Sequence, residues 1–275
     1  MSGQALAKNR KAWFAVRRLV GWGALLAASS CAARAPVPEA RLVLVDLRCE
    51  GRVGPLGIDA PHPRLSWRVA SGTGSGTSAW QVQAATTSAA LADGRADLWD
   101  SGRVTERDAC AARFAPALAA RAEVHWRVRA WDEVGRVGAW SASARFTLGL
   151  LTEEDWHGTW IGAQDAATAV RTDSPWLRTT LVLPAGARRL VAHVASLGYQ
   201  ELWLNGAKLG AGVLMPSVVD LSRRARAVTY ETSANLRAGE NVIGLWLASG
   251  WAANERYGVA AHPLARVELE VELAD

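Results

Sequence analysis

Tyr199, Glu201, Trp203 and Asn205 stand at every second position of the run Tyr199-Gln200-Glu201-Leu202-Trp203-Leu204-Asn205-Gly206. Side chains alternate between the two faces of an extended strand. This spacing therefore gathers two aromatic rings, a carboxylate and a turn amide on one side and leaves Leu202 and Leu204 for a core on the other. Flat aromatic faces take up the apolar faces of sugar rings, and fixed polar groups beside them satisfy hydroxyls. Trp251, Asn254, Glu255 and Tyr257 form a second cluster of the same kind in the Gly- and Ala-rich segment 249–258. Both clusters are candidate carbohydrate contacts. The competing expectation is that Trp203 and Trp251 pack against another domain or fill the rim of a sandwich.

Other chemistries find less support. His62, His125, His157, His193 and His262 are dispersed, without the close His or Cys pairs of a zinc site. The glycines punctuate turns rather than forming a phosphate loop, and no serine sits in a nucleophile elbow. Hydrolysis of a glycoside with inversion needs two carboxyl groups ~6.5–9.5 Å apart across a cleft. The Asp and Glu residues here are instead scattered through turns and exposed strand positions. No catalytic residue is assigned.

The pI of about 9.5 invites a nucleic-acid reading, which the distribution of charge removes. Residues 1–34 hold six of the 31 Lys and Arg and no acid, which leaves 25 basic against 26 acidic residues in the body. A nearly neutral body has no surplus with which to neutralise phosphates, so no nucleic-acid partner is expected. Residues 1–35 have the layout of an export signal, with a basic start, an apolar run from Leu19 to Ala28 and then small residues. The apolar run is too short to span a bilayer as a helix, which takes ~20 residues. Leu26-Ala27-Ala28-Ser29-Ser30-Cys31 resembles a bacterial lipobox, which makes Cys31 a candidate lipidation site. Export to the periplasm, outer membrane or medium is expected, with membrane attachment only through a lipid anchor at Cys31. In an oxidising compartment Cys49 and Cys110 are candidates for a disulfide, with buried free thiols as the alternative.

Beyond Pro36, short runs rich in Val, Leu, Trp and Thr alternate with Gly, Pro, Asp and Ser clusters, an all-β rhythm. Residues 42–48, 65–69, 79–86, 97–103, 110–115, 121–132 and 136–148 read as seven strands of an immunoglobulin or fibronectin type III sandwich spanning 42–149. Within it Trp126, Val128 and Ala130 should face the core and Arg127 and Arg129 the solvent. Asp132-Glu133-Val134-Gly135 should turn before a return strand that opens at Trp140-Ser141. Residues 150–174 read as a linker whose segment 155–162 packs back onto one module. Strands at 176–183, 189–197, 199–205, 207–214, 226–232, 241–248 and 264–273 predict a jelly-roll-like sandwich over 175–275. Asn205-Gly206 marks its clearest hairpin. Trp67, Trp80, Trp126 and Trp246 sit in alternating apolar runs where core placement is expected.

Three further runs, Leu47-Arg48-Cys49-Glu50, Pro55-Leu56-Gly57-Ile58-Asp59 and Pro63-Arg64-Leu65-Ser66-Trp67-Arg68, resemble the opening of bacterial α-L-rhamnosidases. The run from Leu197 to Gly210 is similar to the hairpin of that family's N-terminal β-sandwich. So are Leu214-Met215-Pro216, Tyr230-Glu231-Thr232, Leu236-Arg237-Ala238-Gly239-Glu240-Asn241 and Gly250-Trp251, in the family's order. The resemblance implies that hydrolysis resides in a helical (α/α)₆ barrel C-terminal to such sandwiches. Residues 264–273 read as the closing strand of the second sandwich, so the expectation for this chain is the non-catalytic N-terminal portion. The partner implied is a rhamnose-containing carbohydrate or a separate catalytic domain. Calcium is implied only through related rhamnose-binding modules, since no acidic loop here spells an oxygen cage. The alternatives are a free-standing rhamnose-binding module and a structural or partner-docking sandwich protein of the cell envelope.

Overall fold

A computed structural model describes residues 42–70, 76–163, 174–253 and 262–274. In the first sandwich, β1 (Leu44–Cys49), β2 (Arg64–Val69) and β5 (Ala111–Arg113) form one sheet in the order β1-β2-β5. The facing sheet is built from β3 (Thr77–Ala85), β4 (Trp99–Asp100), β6 (Glu123–Asp132) and β7 (Ala144–Thr147) in the order β4-β3-β6-β7. The alternation in β6 decides which side is core: Val124, Trp126, Val128 and Ala130 are buried, while Arg127 and Arg129 turn outward. Trp126, Phe114, Phe146 and Leu65 fill the interior, and Trp67 packs on Trp80 with ring centroids 5.8 Å apart. A helix, α1 (Ser88–Ala92), interrupts the all-β pattern, with Thr87 as its N-cap accepting from the Ala90 amide at 3.1 Å.

The outward side chains of β6 form a ladder with two tryptophans. Arg127 lies 4.6 Å from the Trp140 ring centre, and Arg129 lies 4.5 Å from Trp140 and 5.2 Å from Trp131. Arg103 stands 4.9 Å from the centre of the same Trp131 ring. Gln81 and Gln83 accept from Arg129 and Arg127 and donate to Asp100, which fixes the guanidinium planes.

The second sandwich comprises β8 (Trp176–Leu183), β9 (Ala187–Leu197), β10 (Tyr199–Leu204), β11 (Ala207–Lys208), β12 (Arg226–Thr232), β13 (Gly239–Ala248) and β14 (Leu264–Leu273). Its antiparallel sheets run β11-β10-β13-β8 and β12-β9-β14. The core between them holds Leu190, Val194, Leu202, Leu204, Leu245 and Leu247. At the hairpin tip Asn205 and Gly206 take φ of 49° and 84°. Both central residues of this turn need positive φ, which is why Asn-Gly stands there.

Several expected elements differ in extent. Within 136–148 only 144–147 forms a strand. The preceding residues are held by a bridge between Trp131 and Val137 and by the Ser141 hydroxyl, which accepts from the Val128 amide in place of a ladder. Likewise 97–103 shrinks to β4 and 207–214 to β11. Trp246 is not in the core: Ile243, Leu245 and Leu247 take that side, and strand alternation sends Trp246 outward. The disulfide considered for Cys49 and Cys110 is not formed. Cys49 is buried and Cys110 exposed, and they lie on segments that flank β2. Two strand spacings of ~4.8 Å exceed the reach of a disulfide. Burial pushes the Cys49 thiol up to about 12, with Glu50 adding to the effect.

The two sandwiches meet through alternating charges. Arg145 donates to Glu123 at 2.7 Å and to Glu231 of the second sandwich at 2.7 Å, while Arg189 reaches back to Glu123 at 2.7 Å. The hydrogen bond from Arg145, reinforced by Arg189 against the cost of burial, holds the Glu123 carboxyl down at about 2. Beside this network Gly57, at φ +65°, lies so close to Thr229 that a Cβ would stand 2.0 Å from its hydroxyl oxygen. Segment 155–162 runs along the second sandwich. Ile161 pairs with Ala265, His157 and Gly158 donate amides to Glu268, and Arg266 lies 5.4 Å from the centre of the Trp156 ring.

Candidate carbohydrate-binding face

The outer face of the β11-β10-β13-β8 sheet gathers indoles from three strands. Register places Trp176 opposite Trp246 and Trp246 opposite Glu201, with Trp203 one row along beside Gly244 and Lys208. Trp176 stacks on Trp246 with centroids 5.5 Å apart and planes within 6°, and tilts against Trp203 at 5.7 Å. Gly244 leaves the space between these rings free of a side chain; a Cβ there would meet only the Trp203 Cβ, at 3.6 Å. Trp176, on edge strand β8, is 58% exposed, whereas Trp203 and Trp246 are half-buried. The Trp203 indole N–H has no hydrogen-bond partner among the described residues.

The polar edge of this face is an ion pair between Glu201 and Lys208, diagonal neighbours across the hairpin. The pair presents carboxylate oxygens and ammonium hydrogens beside Trp203 and one strand from Trp246, the donor and acceptor set that sugar hydroxyls require.

Tyr199, Glu201 and Trp203 therefore share a face, while Asn205 is committed to the fold. Its amide donates to the Asn235 carbonyl at 2.6 Å and to Asn241 Oδ1 at 2.9 Å, and its Oδ1 accepts from the Val242 amide at 2.8 Å. Tyr199 lies away from the indole row. Its ring backs onto Gly250, where a Cβ would come within 2.8 Å, and with Trp251 it lines a cavity of about 20 Å³, room for one water. The two aromatic clusters of the sequence thus meet at Tyr199 and Trp251. Asn254, Glu255, Tyr257 and Cys31 lie outside the described residues. Trp176 and Lys208 are not singled out by the sequence, and Trp246 is expected there in the core. The available signal was parity: once Trp203 faces out, register carries Trp246 and Trp176 to the same side.

Glu123 and Glu231 share two guanidinium partners, and a carboxyl held near pKa 2 is no proton donor at neutral pH. Among the described residues no three His, Cys, Asp or Glu side chains converge to hold a metal ion, so calcium finds no cage there. No helix of the described residues is long and apolar enough to cross a membrane.

The chain is thus an immunoglobulin-like sandwich joined to a second, jelly-roll-like sandwich whose outer sheet bears tryptophans. Residues 44–152 match the family described as "Rha78A-like, N-terminal immunoglobulin domain", and residues 186–275 match "Alpha-L-rhamnosidase N-terminal domain". The chain thus belongs with the N-terminal portion of α-L-rhamnosidase-like proteins. An α-L-rhamnosidase of Alteromonas sp. (strain LOR) is 28% identical over 252 residues, covering 88% of this chain and 26% of the relative. One from Streptomyces avermitilis is 41% identical over 125 residues, 45% of this chain and 12% of the relative. The structure of α-L-rhamnosidase from "Dictyoglumus thermophilum" superposes with a TM-score of 0.75 at 26% identity, covering 84% of this chain and 27% of that one. The Aspergillus terreus enzyme shares the fold, with a TM-score of 0.71 at 23% identity. The chain spans about a quarter of the length of the first curated relatives it matches.

Proposed function

We propose that this chain is a non-catalytic, carbohydrate-recognising portion of an exported α-L-rhamnosidase-like glycoside hydrolase, with the Trp176/Trp203/Trp246 face as its contact for a rhamnoside. The observation that carries this reading is the exposed Trp176 ring stacked on Trp246, which itself stands opposite Glu201 of the Glu201–Lys208 pair. A 6-deoxy sugar offers a methyl group and an apolar ring face to the indoles and hydroxyls to the ion pair. Calorimetric titration of the folded chain with L-rhamnose and a chromogenic α-L-rhamnoside, read in parallel for hydrolysis, tests it. Binding without hydrolysis is expected; hydrolysis, or no heat with either sugar, overturns it.

A second reading rests on Val182, which is 73% exposed on the same outward side of β8 as Trp176. Six residues of strand separate them, ~20 Å, which exceeds one sugar ring and suits a docked protein domain. Under that reading the face meets the catalytic domain of the same enzyme. A separately purified catalytic domain of a relative would then bind the chain, and Val182→Lys would abolish that association while leaving rhamnoside binding unchanged.

A further inference from the structure

Beyond the tryptophan face, a groove of about 700 Å³ lies between the two sandwiches, within the size range of small-ligand sites, ~300–1,000 Å³. One wall is the loop between β1 and β2, a second is the connecting segment 149–160, and the third comprises β9 and residues 223–229. These walls carry Arg52, Arg223, Arg224, Arg226 and Arg266 against three acids, Glu50, Asp59 and Glu153. Two of the acids are already engaged: Glu50 holds Arg64 at 2.8 Å outside the groove, and Glu153 holds Arg266. Arg223 pairs with Asp220 at 3.3 Å, and Arg226 donates to the Ser217 hydroxyl at 2.9 Å. The side chains of Arg52 and Arg224 have no hydrogen-bond or ion-pair partner among the described residues, so their charge is available to a ligand. Apolar lining comes from indoles: Trp160 is 41% exposed, and Trp156 lies against Arg266. His193, 2% exposed, also lines the groove. It is fixed by Thr229 at 2.9 Å and has its second ring nitrogen 3.3 Å from Glu270, outside hydrogen-bond geometry.

We infer that this groove is a binding site for an anionic pyranoside, a sugar bearing a carboxylate or a sulfate ester, with Arg52 and Arg224 taking the anionic group and Trp160 stacking on the ring. The guanidinium fork matches the paired oxygens of either group, and an indole face matches the apolar face of a pyranose. The groove borders the ion-paired junction of the sandwiches, so it is firmly shaped by both. It is independent of the Trp176 face and takes a different ligand.

The test is calorimetric titration of the whole chain with methyl β-D-glucuronide, glucose 6-sulfate, methyl α-L-rhamnoside and inorganic sulfate. Its variants are Arg52→Gln/Arg224→Gln, Trp160→Ala and Trp176→Ala, each checked for folding by circular dichroism. At least one charged glycoside should bind, weakening roughly tenfold or more as salt rises from about 0.05 to 0.5 M. Which of the two binds identifies the anionic group. The double arginine variant should lose this binding, Trp160→Ala should weaken it about tenfold, a typical value for one aromatic contact, and Trp176→Ala should leave it unchanged. Failure of both charged glycosides to bind, or binding undiminished in the arginine variant, overturns the proposal. So does inorganic sulfate binding as tightly as the sugars with Trp160→Ala silent, because the groove would then be a simple anion site. Rhamnoside heat that depends on Trp176 alone tests the first face separately.

Discussion

The outer faces of the two sandwiches both carry tryptophan, and they treat it in opposite ways. On the first, Trp131 and Trp140 are covered by Arg103, Arg127 and Arg129, whose planes are held by Gln81, Gln83 and Asp100. On the second, Trp176 packs on both Trp203 and Trp246, no guanidinium among the described residues lies over these three rings, and Trp176, the outermost, stands open at a sheet edge. A face sealed by its own guanidinium groups has little left to offer a ligand; a bare indole row still has apolar area to bury. On the proposed reading the ladder belongs to stability and the bare row to recognition.

Substitutions can break that comparison, and the largest effect sets its scale. Trp126→Ala in the core of the first sandwich should destabilise the chain by about 3–5 kcal/mol, measured by chemical denaturation. Trp140→Ala removes the stacking of both Arg127 and Arg129 and should cost about 1–2 kcal/mol, with no change in sugar binding. Acid should act most strongly on the junction. Glu123 is depressed to about 2 in the fold, so its contribution is fully present above its unfolded value near 4.5 and is lost as pH falls through about 2. A denaturation series should show stability declining through that window, by about 1 kcal/mol for this partly solvated network, and Glu123→Gln should flatten the decline. Trp176→Ala should cost under about 1 kcal/mol of stability, the loss of one exposed aromatic stack.

Local chemistry made much of this fold legible in the sequence. Asn205-Gly206 announces a turn needing two positive φ values, and the alternation of Val124, Trp126, Val128 and Ala130 against arginines leaves one assignment for β6. Trp246 was misplaced because both faces of β13 are apolar. Val242, Gly244 and Trp246 alternate with Ile243, Leu245 and Leu247, and nothing local says which set meets the other sheet. Asn205 looked available for sugar because its three partners come from residues 235, 241 and 242, which only the tertiary fold brings to the turn. The inter-sandwich groove was invisible for the same reason: Arg52, Trp160 and Arg224 are more than sixty residues apart in sequence and converge only when the sandwiches dock.

The central claim, that the bare indole face is the recognising surface and the ladder is not, is tested most directly by titrating an α-L-rhamnoside into the wild-type chain, Trp176→Ala and Trp140→Ala side by side. The account predicts binding by the wild type, its loss in Trp176→Ala and its retention in Trp140→Ala. Binding that survives Trp176→Ala, or that disappears with Trp140→Ala while the chain stays folded, would contradict it.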